Sequence, residues 1–151
     1  MTEPDAIRPI EILLVEDSPS DALMTQEAFE HFKLLNKIHL VDNGVDALSF
    51  LRQEGRYAEE PRPDLILLDL NLPRKNGREV LQAIKADERL KTIPVVILTS
   101  SKAEEDILRS YGFHANCYVT KPVEFDKLTE VVQSIHHFWF SVVTLPSRRT
   151  S

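Results

Sequence analysis

Cys117 is the only cysteine in a chain of 151 residues, so no disulfide can form within it. That scarcity fits a reducing compartment, and Cys117, set in an apolar stretch, reads as a small core hydrophobe rather than a reactive thiol. An excess of positive charge is missing too: the formal net charge is -6, with both signs scattered along the chain. Without a basic footprint, direct binding to nucleic acid is not expected. No apolar run approaches the roughly 20 residues of a membrane span, and residues 1–8 lack the basic-then-apolar pattern of a leader. A cytoplasmic protein with no membrane contact is expected. Internal repeats, low-complexity tracts and a second domain after the last predicted helix are also absent from the pattern. The predicted organisation is a tail over 1–8, one domain over 9–141 and a C-terminal extension over 142–151, polar from Pro146 onward, with no output domain. A hydrophobic share of 42% is enough for one domain core.

What is present is an alternation. Residues 10–15 form an almost unbroken apolar run, the mark of a strand buried on both faces, and Glu16-Asp17-Ser18-Pro19 stops it. Ser18 before Pro19 reads as a helix cap, after which Ala22, Leu23, Ala28, Phe29 and Phe32 recur at helical spacing. Residues 37–41 read as a shorter strand, and 44–53 as a short helix with Val45, Leu48 and Leu51 inward. The polar stretch 55–63, with two prolines, is a loop. Buried strands follow at 65–68, ending at Asp69, and at 94–98, ending at Thr99-Ser100-Ser101; a fifth strand spans 116–120 and ends at Lys121-Pro122. Helices are predicted over 79–86, 103–111 and 125–140. Five strands alternating with five helices specify an α/β fold, a doubly wound parallel sheet with helices on both faces. Ligands of such sheets bind beyond the carboxyl ends of the strands, where strand order reverses.

The polar residues lie at those ends. Glu16 and Asp17 close the first strand and Asp69 the third, which brings three carboxylates into one pocket. Reference pKa values near 4 make all three anionic at neutral pH, and such crowding calls for a cation. All-oxygen donors, with no histidine or cysteine nearby in sequence, favour Mg²⁺ or Mn²⁺, with the backbone carbonyl of Asn71 as a further ligand. Lys121 would neutralise an incoming anion, the Thr99 hydroxyl would bond it, and Ser100 is small enough to leave it room. With metal and lysine offsetting charge, a carboxylate such as that of Asp69 can attack phosphorus and form an aspartyl phosphate.

These residues resemble the receiver domain of the response regulators of two-component signalling. The likeness runs over about residues 10–140, through Leu14-Val15-Glu16-Asp17, Asp69-Leu70-Asn71-Leu72-Pro73 with Gly77 beyond, Thr99-Ser100 and Tyr118-Val119-Thr120-Lys121-Pro122. It implies a flavodoxin-like strand order 2-1-3-4-5. It also implies Asp69 as phosphoacceptor, Glu16 and Asp17 as the acidic metal pair, Thr99 as the switch hydroxyl, and Lys121 as the pattern's lysine. Tyr118 matches an aromatic that turns inward after phosphorylation. Glu16 departs from the commoner Asp. The loop 55–63, with Phe138-Trp139-Phe140 and Thr144-Leu145-Pro146, resembles the small response regulators that partner bacterial and cyanobacterial phytochromes. The implied donor is then the phosphohistidine of a light-sensing histidine kinase, and a histidine phosphotransfer protein is an alternative exchange partner.

The predicted last helix carries more apolar surface than one sheet face needs: Phe125, Leu128, Val132, Ile135, Trp139 and Val142 step by three and four. The excess predicts a homodimer through Phe138, Trp139, Val142, Val143 and Leu145. Two other readings compete. A constitutive receiver-fold binding or dimerisation module would take no phosphate, but nothing would then require Asp17, Asp69, Thr99 and Lys121 together. A phosphohydrolase wants a general acid two residues past the nucleophile, where Asn71 stands, and an amide cannot serve. The expectation is a phosphoacceptor switch rather than an enzyme with turnover.

Overall fold

In the computed structural model the described residues are 9–31, 35–110, 117–121, 123–124, 126–127 and 130–131. Five parallel strands, β1 (Ile10–Val15), β2 (Asn36–Val41), β3 (Leu65–Asp69), β4 (Val95–Thr99) and β5 (Cys117–Thr120), form one sheet in the order β2-β1-β3-β4-β5. The strand order and the alternation with helices are those expected. Between the strands run α1 (Pro19–Glu30), α2 (Gly44–Leu51), α3 (Gly77–Ala86) and α4 (Lys102–Ser110). Of the fifth helix expected over 125–140, Asp126, Lys127, Glu130 and Val131 are described and helical. The surface assigned to Phe138, Trp139, Val142, Val143 and Leu145 lies outside the described residues, as does the Cys117 side chain. No helix among the described residues is long and apolar enough to cross a membrane.

The apolar runs become central strands because each can be covered twice. Successive strand side chains point to opposite faces, so Leu13, Val15, Ile66, Leu68, Val95 and Ile97 face one core with Leu48 and Leu51 of α2 and Val80, Leu81 and Ile84 of α3. Ile12, Leu14, Leu65, Leu67, Val96 and Leu98 face the other, with Ala22, Ala28 and Phe29 of α1 and with Val131. Strand β2, at the edge, is half-buried or exposed except at Val41.

Three local expectations are corrected. Leu23 is 55% exposed, not inward; Thr25 takes the buried place in α1, its hydroxyl donating to the Asp21 carbonyl oxygen at 3.1 Å. Helix α3 begins two residues before Glu79, because Asn76 and Glu79 form a reciprocal capping box and bring Gly77 into the first turn. The stretch 55–63 contains a 3-10 turn at Gly55–Tyr57, held by the Tyr57 ring 5.4 Å from that of Phe50.

Gly77 fixes how closely α3 approaches the end of β3. A Cβ there would stand 2.5 Å from the Asp69 carbonyl oxygen and 2.6 Å from the Leu70 Cα. Both obstacles are backbone, so no side-chain rotation relieves them. Gly77→Ala is expected to lower unfolding stability by about 1–3 kcal/mol; a urea midpoint equal to that of the unaltered chain would contradict this packing.

Candidate functional site

The register of β1 and β3 pairs Val15 with Leu68, so the residues that follow each, Glu16 and Asp69, meet beyond the sheet's edge. Both are buried, at 2% and 1% exposure, whereas Asp17 is exposed. One carboxylate oxygen from each of the three lies within 4.8 Å of the others. The expected acidic trio is therefore assembled.

Lys121 closes the pocket from the end of β5. Its backbone N–H donates to the Thr99 carbonyl oxygen at 2.7 Å, which sets the side chain's starting point. Its ammonium donates to Asp69 Oδ2 at 2.9 Å, Asp21 Oδ2 at 3.1 Å and Glu16 Oε2 at 3.3 Å. The other Asp69 oxygen, Oδ1, accepts from the Asn71 N–H at 3.1 Å. Asp21 was not among the residues singled out from the sequence. It lies in the first turn of α1, and its partner follows 100 residues later, so no spacing could have flagged it.

Burial is the main reason Glu16 titrates abnormally: with the neighbouring Asp69 reinforcing it, burial pushes the Glu16 pKa from 4.5 up to about 7, against the opposing pull of Lys121. Without a cation, Glu16 is therefore only part ionised near neutral pH. In the absence of a cation, a proton on Glu16 relieves part of the crowding. Burial alone would lower the Lys121 pKa, but its hydrogen bonds to Asp69 and Asp21 outweigh that and hold it well above the usual lysine range.

Thr99 is fully buried, and its hydroxyl has no hydrogen-bond partner among the described residues. A buried polar group left in that condition is costly. It lies one residue past Leu98, which pairs with Asp69. Ser100 is exposed at the mouth; its hydroxyl lies 3.2 Å from Asn71 Nδ2, and its N–H donates to Glu104 Oε1 at 2.8 Å. Tyr118 is half-buried and packs on the core shared with α2 and α3; it pairs with Ile97, so it stands one diagonal step from Thr99 on the same sheet face. Leu70, Asn71, Leu72, Asn76, Arg78 and Glu104 line an open cavity of about 360 Å³ beside this mouth.

The donor set fits a hard divalent cation. Glu16, Asp17 and Asp69 would hold it through oxygen atoms alone, and the excess of buried carboxylate, eased in its absence by a proton and an ammonium, is the charge such an ion would balance.

Fold and pocket together define a doubly wound α/β protein with an acid-floored, lysine-closed site beyond the strand ends, where such sheets place their ligands. The model of the response regulator receiver domain matches residues 12–133, and the chain belongs to that family. Response regulator Rcp1 of Synechocystis sp. is 48% identical over 136 residues, which are 90% of this chain and 92% of that one. The structure of its Mn²⁺-bound form superposes with a TM-score of 0.73, covering 87% of this chain and 94% of that one. The bacteriophytochrome response regulator RtBRR gives a TM-score of 0.80 at 44% identity, covering 85% of this chain and 78% of that one. The phosphorylated cyanobacterial phytochrome response regulator RcpA gives 0.74 at 48% identity, covering 89% and 96%.

The direction of the Glu16 shift determines a pH dependence. A carboxyl whose folded pKa is raised stabilises the folded protein below the unfolded value, near 4.5, and loses that contribution as pH rises through about 7. In chelator, Glu16→Gln, which mimics the protonated acid, is expected to match the unaltered chain near pH 4.5. Above pH 7 it should exceed it by on the order of 2 kcal/mol. Parallel stability curves for the two proteins across that range would contradict the assignment.

Proposed function

We propose that this receiver accepts a phosphoryl group on Asp69 from the phosphohistidine of a sensor histidine kinase and thereby switches a protein-interaction surface. The observation that carries this reading is the buried Thr99 hydroxyl, without a partner among the described residues and one residue past Asp69's strand neighbour. A phosphoryl oxygen on Asp69 would supply the acceptor it lacks.

In this reading an Asp69 carboxylate oxygen attacks phosphorus, a P–O bond forms, and the P–N bond of the donor breaks with its electron pair returning to the imidazole nitrogen. When bound by Glu16, Asp17, Asp69 and the Asn71 carbonyl, Mg²⁺, or Mn²⁺ in its place, offsets the charge of the phosphoryl oxygens. Lys121 already lies 2.9 Å from Asp69 and turns to a phosphoryl oxygen as the new bond forms. Ser100, small and exposed, leaves the mouth open to the donor. Water later attacks phosphorus, releasing inorganic phosphate and restoring the carboxylate. The chain is thus a switch that catalyses at most its own phosphorylation and dephosphorylation. The bond from Thr99 exists only in the phosphorylated form, and such a differential contact is what shifts a two-state equilibrium. Tyr118, on the same face, would then turn toward the space left as the Thr99 hydroxyl moves to the phosphoryl group.

The names of the relatives support a narrower donor. Rcp1 has a Mn²⁺-bound form, RcpA is a phytochrome response regulator solved phosphorylated, and RtBRR is a bacteriophytochrome response regulator. A phytochrome histidine kinase is accordingly the proposed donor, in the cytoplasm, with a histidine phosphotransfer protein as a second exchange partner. A homodimer through the stripe that includes Phe138 and Trp139 rests on sequence alone.

Intact mass after incubation with acetyl phosphate and Mg²⁺ tests the proposal. A gain of one phosphoryl group that disappears in Asp69→Asn is expected. No gain with either Mg²⁺ or Mn²⁺ would favour the constitutive binding module instead.

A further inference from the structure

Lys121 has three ammonium protons and, among the described residues, three carboxylate partners: Asp69, Asp21 and Glu16. They are not equivalent. Glu16 and Asp69 belong to the cluster that fits a cation, and Asp21 does not. The Glu16 and Asp69 side chains are 0% and 1% exposed and form the floor of the pocket, whereas Asp21, at 31%, sits at its rim. A cation and a phosphoryl group in the site would give the two floor carboxylates new partners, and Asp21 would then be the carboxylate left to Lys121.

Asp21 is also firmly placed. Its N–H donates to the capping hydroxyl of Ser18 at 3.3 Å, and its carbonyl oxygen accepts from the hydroxyl of Thr25, which is 1% exposed. Both bonds use the backbone, so the carboxylate is held over the pocket by the first turn of α1 and is free to bond Lys121.

We propose that Asp21 is a positioning residue for phosphoryl transfer: it keeps the Lys121 ammonium aimed over Asp69 while Glu16 and Asp69 exchange their partners. The inference rests on the phosphoacceptor reading of Asp69. It adds a carboxylate that neither takes the phosphoryl group nor holds the cation, and that acts only through the lysine. The same contact links α1 to the end of β5, so displacement of the first turn of α1 would reach the reacting atoms through Lys121.

Two measurements on the full chain test it. The first is trace acetylation with acetic anhydride in saturating Mg²⁺, with the reactivity of Lys121 read by peptide mass spectrometry against Lys85 and Lys91. Asp21→Asn keeps both backbone bonds and is expected to raise Lys121 labelling about tenfold. Asp46→Asn, which removes an equal charge from the partner of Arg56 on α2, should leave it unchanged. The second is the maximal phosphorylation rate at saturating Mg²⁺ and acetyl phosphate, expected to fall about fivefold or more in Asp21→Asn, to stay level in Asp46→Asn and to recover in part in Asp21→Glu. Unchanged Lys121 labelling overturns the proposal, and so does raised labelling with an unaltered maximal rate. If the unaltered chain takes up no phosphoryl group, it is the reading of Asp69 that fails, and the labelling comparison still decides whether Asp21 holds the lysine.

Discussion

The carboxylates of Glu16, Asp17 and Asp69 converge within 4.8 Å, two of them buried, and the rest of the site answers to that concentration of negative charge. Buried anions at such separations do not coexist without compensation. Lys121 supplies one positive charge from the end of β5, and a proton on Glu16, whose pKa burial pushes to about 7, relieves a second part. Both devices are reversible. A pocket that holds its charge with an ammonium and a titratable proton is poised to exchange the proton for a divalent ion while the ammonium stays, and the phosphoryl chemistry proposed for Asp69 depends on that exchange.

The fold makes the convergence possible at little cost. Strands β1, β3 and β4 are buried on both faces and, Glu11 apart, apolar up to their last residues, so polar side chains gather at their ends. The pairing of Val15 with Leu68, and of Asp69 with Leu98, puts Glu16, Asp69 and Thr99 on adjacent strand ends. Lys121 crosses the end of β4 to reach them. Gly77 lets α3 start directly against the Asp69 carbonyl, where any side chain would collide with backbone. Sheet register and helix entry, rather than any local motif, bring these groups to one point.

This geometry also explains which features could be read from the amino-acid order. Glu16, Asp17, Asp69, Thr99 and Lys121 each terminate an apolar run, and in a doubly wound sheet all such termini share one edge, so their convergence was legible. Asp21 was not: it sits inside a helix pattern, and only the depth to which Lys121 reaches makes it a partner. Leu23 fitted the helical period yet faces solvent, since the inward face of α1 runs through Ala22, Thr25, Ala28 and Phe29, with the Thr25 hydroxyl bonded within the helix. The start of α3 was misplaced because a capping box draws two further residues into the helix. The ionisation of Glu16 was beyond reach for a different reason: it depends on burial, which residue type alone does not specify.

The most direct test of this account is the proton balance of cation binding. Calorimetric titration of the full chain with Mg²⁺ at pH 6.5, in buffers of differing ionisation enthalpy, should show release of roughly half a proton or more per cation bound, falling toward zero above pH 8 as Glu16 ionises without the ion's help. Heats that do not depend on the buffer at pH 6.5 would contradict it, since the cation would then be entering a site that no proton had held.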